Sequence, residues 1–142
     1  MENTERTDDL RRLLRESSKA MRASWVAELE PLALSPFQWR TLRVVVETDG
    51  ARPGQVAEQL RIAPRSATEA IDQLAAKGLV ERRSDPSDRR ATLVQATPEG
   101  RDIAAKVSKL RDAHSQRFFG VLTEREQIAL EFLLKKLAGP QG

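Results

Sequence analysis

The feature that most constrains this chain is a change of hydrophobic period between Pro64 and Glu99. Ala67, Ala70, Ile71 and Leu74 stand at i, i+3, i+4 and i+7, one face of an α-helix that Pro64 opens and Lys77-Gly78 closes. The period then drops to two. Leu79 to Arg83 reads as a strand, Ser84 to Arg90 as a turn-rich tip, and Ala91 to Ala96 as a returning strand in which Thr92, Val94 and Ala96 alternate with Leu93 and Gln95. Thr97-Pro98-Glu99 supplies a cap, a first-turn proline and a first-turn acid, so another helix begins there.

The flanking segments are helical. From Asp8 to Glu30, Leu10, Leu13, Leu14, Met21, Trp25 and Leu29 recur at spacings of three and four, so this helix has something to bury along its length, and Pro31 ends it. Ser35-Pro36-Phe37-Gln38 has the spacing of a capping box, and a second helix runs through Trp39, Leu42 and Val46 to Asp49-Gly50. The segment GQVAEQL forms a short helix with Val56, Ala57 and Leu60 inward, and only a turn of about four residues separates it from Pro64. That is helix-turn-helix spacing. After the hairpin, Ile103, Val107, Leu110, His114 and Phe118 share one stripe of a long helix that Gly120 breaks. Thr123 to Glu126 is a second capping box, ahead of Ile128, Leu130, Phe132, Leu133, Leu134 and Leu137, and the tail AGPQG is expected to fray. The expected class is mainly α with a small β hairpin: a winged helix-turn-helix with helices on either side.

Several function classes are set aside by composition. The 24 Lys and Arg exceed the 21 Asp and Glu by a net +3, too weak a bias to announce nucleic acid, so the placement of the arginines has to decide. With no Cys and one His, the chain has no disulfide, thiol switch or ordinary transition-metal site; His114, on an apolar stripe, reads as a buried, hydrogen-bonded or interface residue. No G-x-S-x-G, phosphate loop or His-carboxylate cluster offers a place for chemistry, and no cofactor is implied. No apolar run approaches the roughly 18–20 residues that span a bilayer, so the expectation is a soluble, cytoplasmic protein with no membrane partner.

The stretch LAAKGLVERRSDPSDRRATLVQATPEG, Leu74 to Gly100, resembles the MarR (multiple antibiotic resistance regulator) transcription factors: a recognition-helix end, Lys-Gly-Leu-Val, a wing with Asp-Pro-x-Asp-x-Arg, a Val-bearing strand and Thr-x-x-Gly. The helix order extends the resemblance over nearly the whole chain. It implies a DNA-binding module at residues 35–97 and a helical dimerisation module from 1–34 and 98–142, in a homodimer that reads a near-palindromic operator on double-stranded DNA.

Taken alone, the polar face of the Pro64–Lys77 helix is an ordinary solvated face. In a winged helix it can lie in the major groove, with Arg65, Ser66 and Thr68 toward bases or phosphates; Glu69 and Asp72 then accept from cytosine or from neighbouring arginines, or point aside. Arg90 matches the family's groove-inserted arginine and Asp88 its acid, which can orient the guanidinium, while Pro86 stiffens the tip and Arg82, Arg83 and Arg89 suit phosphates. Candidate dimerisation residues are Leu10, Leu13, Leu14, Leu110, Phe118, Leu130, Leu133, Leu134 and Leu137, the alternative being that these helices fold back on their own subunit. Trp25, Trp39 and Arg43 are candidates to line a pocket for a small lipophilic or aromatic effector, with Arg22 and Arg40 as further carboxylate partners; both tryptophans are equally suited to the core. The implied function is a transcriptional regulator, most often a repressor relieved by such a ligand. The alternative is a winged helix that uses the same surface for protein contacts without DNA.

Overall fold

The computed structural model describes residues 1–139. The described residues form six helices and one antiparallel hairpin: α1 (Glu2–Leu29), a single 3-10 turn (Glu30–Leu32), α2 (Pro36–Thr48), α3 (Pro53–Leu60), α4 (Pro64–Ala76), β1 (Val80–Asp85), β2 (Asp88–Ala96), α5 (Pro98–Phe119) and α6 (Glu124–Ala138). The first helix starts six residues before the expected Asp8, because Glu2 and Glu5 suit a helix N-terminus and nothing in that polar stretch breaks the helix. The tail from Pro140 to Gly142 lies outside the described residues.

The caps are where the sequence placed them. Ser35 accepts from the Gln38 N–H at 3.0 Å while Gln38 Oε1 accepts from the Ser35 N–H at 3.2 Å, and Thr123 with Glu126 repeats the arrangement at 3.2 and 2.8 Å. Gly78, with φ +73, ends α4 in a Schellman turn: the Leu79 N–H reaches the Leu74 carbonyl and the Gly78 N–H that of Ala75, both at 3.0 Å. That turn throws Leu79 back onto Leu74 in the core and launches β1.

The core gathers residues from every element but α6. Leu29, Leu42, Val45, Val56, Ile71, Leu74, Val94 and Val107 are all fully buried, each side chain contributing on the order of 1.5–3 kcal/mol. Leu29 of α1 and Val107 of α5 belong to the same cluster as the helix-turn-helix residues, so the winged module is packed against the long helices. A third, one-residue strand joins the hairpin where Ala51 exchanges backbone hydrogen bonds with Val94 at 3.0 and 2.8 Å.

The amphipathic stripe of α1 is mostly uncovered within the chain. Leu10, Leu13, Leu14, Met21 and Val26 are exposed, as are Ile128, Phe132, Leu133, Leu134 and Leu137 of α6. Between α5 and α6 lies an open groove of about 680 Å³, walled by Phe119, Leu130 and Leu134. Among the described residues, no helix is long and apolar enough to cross a membrane.

Candidate nucleic-acid interface

The helix-turn-helix is α3, the turn Arg61–Ala63 and α4. Arg61 takes the left-handed conformation, φ 54, that a tight turn between two helices requires, and the Ile62 N–H closes it on the Ala57 carbonyl at 3.0 Å. Burial of Ala67, Ala70, Ile71 and Leu74 fixes the rotation of α4 and turns Arg65, Thr68, Glu69 and Asp72 outward, with Ser66 half-buried. The Arg65 side chain is 92% exposed and stands 3.8 Å from Glu69, one turn on. Thr68 Oγ1 donates to the Pro64 carbonyl at 3.1 Å, a bond that a competing acceptor on a ligand replaces at little cost.

Polar contacts lock α4 from behind. Lys77 Nζ donates to the Ala33 carbonyl and, at 2.9 Å, to Gln38 Oε1, and Gln38 Nε2 donates to Gln73 Oε1 at 2.8 Å. The hairpin is tied to the outer face: Arg82 of β1 forms an ion pair with Asp72 of α4. Of the two acids expected on this face, Asp72 therefore accepts from an arginine, and Glu69 lies beside Arg65.

The wing departs from the expected form at its tip. Both strands reach further than the sequence suggested, and the turn is only Pro86-Ser87. Pairing is regular from Val80↔Ala96 to Ser84↔Thr92 and resumes at Asp85↔Asp88, so Arg89, Arg90 and Ala91 form a bulge between those two pairs. The expected Asp88 to Arg90 guanidinium bond is not made: Asp88 Oδ1 accepts from the Arg90 backbone N–H at 3.0 Å, because the bulge breaks the regular pleat that would set the two side chains on one face. Arg83 is engaged with Glu81 at 2.6 Å. Arg89 and Arg90 are exposed and, among the described residues, have no acidic partner.

Sequence reasoning missed the acid that orders this tip. Asp85 is 7% exposed; its Oδ1 accepts from the Ser87 N–H at 2.9 Å and the Ser87 hydroxyl at 2.7 Å, and its Oδ2 from Arg52 Nη2 at 2.8 Å and Nε at 3.2 Å. The Ser87 donors first, then the Arg52 hydrogen bonds, hold this carboxyl down to about 2, against the opposing effect of burial. The local signal was Asp-Pro-Ser, an Asx-type turn; Arg52, on the far side of the helix-turn-helix, had none.

The residues proposed to line an effector pocket are divided. Trp39 and Arg43 border a cleft of about 220 Å³ between α2 and α5, together with Val46, Arg101, Ala104 and Ala105. Trp39 is 5% exposed and serves as its wall. Trp25 is not there. It packs against the His114 ring at 5.4 Å between α1 and α5, and His114, itself buried, shares a 2.6 Å hydrogen bond with Ser24 Oγ. A helical register correct for the core thus sends the two tryptophans to different places.

An exposed helix-turn-helix face joined by an ion pair to an arginine-bearing hairpin defines a winged helix-turn-helix protein. The MarR family profile matches residues 34–92. The multiple antibiotic resistance protein MarR of Salmonella typhimurium is 32% identical over 77% of this chain and 76% of its own length. Among solved structures, a mutant of Escherichia coli MarR complexed with operator DNA is 28% identical, with TM-score 0.76 over 91% of this chain and 93% of that one. Bordetella bronchiseptica BpsR, solved in connection with the regulation of its DNA binding by 6-hydroxynicotinic acid, is 25% identical, with TM-score 0.73 over 92% of this chain and 93% of that one. The chain belongs to the MarR family of transcriptional regulators, which are not enzymes.

Proposed function

We propose that this protein is a homodimeric, sequence-specific DNA-binding repressor that leaves its operator when a small aromatic acid binds. The observation that carries the reading is the single surface made by the N-terminal face of α4 and the wing bulge. It offers Arg65, Ser66 and Thr68 to a major groove and Arg89 and Arg90 to an adjacent minor groove, while ion pairing of Asp72 and the position of Glu69 limit their repulsion of phosphates. Arg82 and Arg83 flank that surface and can add phosphate contacts. The likeness to a MarR protein complexed with operator DNA supports the same use of the surface here.

Residues 35–97 are the DNA-reading part in this proposal, and the helices before and after them join two copies. The exposed leucines of α1 and α6 and the groove beside Phe119, Leu130 and Leu134 are the apolar surface a second copy would cover; two wings then reach half-sites about 34–36 Å apart. The cleft beside Trp39 suits a ligand of one aromatic ring, whose carboxylate would have to draw Arg43 from Glu47, which also lines the cleft, or Arg101 from Asp49, and the aromatic acid in the BpsR work supports that chemistry.

Fluorescence anisotropy with labelled DNA from the gene's own upstream region tests the reading. Affinity should fall steeply between 50 and 200 mM salt, and Arg90→Ala should weaken binding by about 1–3 kcal/mol with no change in dimer mass. Salt-independent binding, or wild-type affinity in the Arg90 variant, would refute it.

A further inference from the structure

The wing is anchored at its tip as well as at its root, and the tip anchor belongs to another element. Arg52 immediately precedes Pro53, the first residue of α3, and follows Ala51, which bridges to Val94 of β2. Its backbone N–H is held by Gln55 Oε1 at 2.8 Å, so the stem of the side chain is fixed to the helix-turn-helix. Its guanidinium then runs to Asp85 Oδ2 through two hydrogen bonds, at 2.8 and 3.2 Å. Asp85 is where the hairpin pairing resumes beyond the bulge that carries Arg89 and Arg90. Its other oxygen takes both donors of Ser87, so one carboxylate closes the turn and fastens it to α3.

We propose that the Arg52–Asp85 pair is a positioning device for DNA reading, which fixes the bulge to α3 so that Arg89 and Arg90 meet the DNA in a set relation to α4. The inference rests on the DNA-reading function proposed above. A two-residue turn on a long hairpin would otherwise bend about its root at Ala51–Val94, and an arginine that must be ordered on arrival binds more weakly than one held in place. Asp85 is shielded on its side of the pair while Arg52 is half exposed, and the carboxylate stays charged throughout the neutral range.

Arg52→Lys is the informative variant, because it keeps the charge near phosphate but cannot reproduce the two-pronged contact. Amide exchange of the wing is measured in the free protein, and operator affinity for wild type, R52K, R90A and the double variant at one salt concentration. The expected results are faster exchange at Ser87 and Arg90 in R52K, roughly tenfold weaker operator binding, and an Arg90→Ala penalty at least about threefold smaller in the R52K background. Unchanged exchange or strictly additive affinities would overturn the proposal, since a residue serving fold stability alone does not couple to Arg90. Asp85→Ala gives an independent sign. Removing an anion beside DNA tightens binding if electrostatics alone matter, so tighter binding overturns the proposal and weaker binding supports it. A wild-type protein that binds no operator sinks the functional reading instead, while the exchange data still decide whether the pair holds the bulge.

Discussion

Gly100→Ala inserts one methyl group where the wing meets α5, and the structure allows its cost to be worked out. A Cβ at this position falls on the carbonyl oxygen of Leu79, far inside contact distance, and 3.0 Å from the carbonyl carbon. That carbonyl cannot simply retreat. It accepts the Thr97 N–H at 3.1 Å, and its residue is held in the core by the turn that ends α4. Thr97 is itself committed: its hydroxyl accepts from the Gly100 N–H at 3.0 Å and donates to the Gly78 carbonyl at 2.6 Å. Overpacking against backbone belongs at the upper end of the usual 1–3 kcal/mol, and losing the Thr97 bond adds about 1 kcal/mol. The better helix propensity of Ala returns at most about 1 kcal/mol, leaving a net loss near 3 kcal/mol. With a urea slope of about 2 kcal/mol/M, the midpoint should fall by about 1.5 M at fixed protein concentration. Gly54, in the first turn of α3, is the control: nothing lies within 4 Å of its added Cβ, so Gly54→Ala should raise stability by about 0.4–1 kcal/mol. If the two variants shift the midpoint alike, the steric argument is wrong.

Leu133→Arg should give monomers in sedimentation velocity while leaving each chain folded, since this side chain is half exposed in the single chain and an unpaired charge would be buried only on association; an unchanged dimer would move the interface elsewhere. Asp85 also sets a pH window. Its folded-state carboxyl is lowered from 3.8 to about 2, so its contribution is complete above about pH 4 and is lost as pH falls toward 2. The urea midpoints of wild type and Asp85→Asn should therefore differ at pH 5, draw together as pH falls through about 2 and converge below it, and a gap that persists in strong acid would show that charge is not what Asp85 contributes.

What was legible in the sequence had short-range causes. The Ala67 to Leu74 stripe, the Ser35, Thr97 and Thr123 caps and the glycine after Lys77 each act within one helical turn, and their geometry followed from residue type alone. Register carried less. The same period that put Trp25 and Trp39 on helical faces could not say that one would meet His114 across α1 and α5 while the other walled a cleft between α2 and α5, because that depends on how helices cross. The stripe of α1 shows the complementary limit. Its apolar residues were expected to bury something along the helix, yet a single chain leaves most of them exposed, because period alone does not say what covers a face.

The wing tip shows why the Asp88 and Arg90 expectation went astray at one atom. Two residues apart in a strand, side chains point to the same face only while the pleat is regular, and Arg89, Arg90 and Ala91 lie in a bulge where it is not. The short carboxylate of Asp88 takes the nearer donor, the Arg90 N–H, and so shapes the backbone that carries the guanidinium without holding the guanidinium itself. That leaves the Arg90 head exposed and without an acidic partner among the described residues, as the proposed groove contact would need, whereas an ion pair with Asp88 would compete with it. The burial and pairing that make an anchor fall instead to Asp85, whose partner, 33 residues upstream, no local pattern could have named.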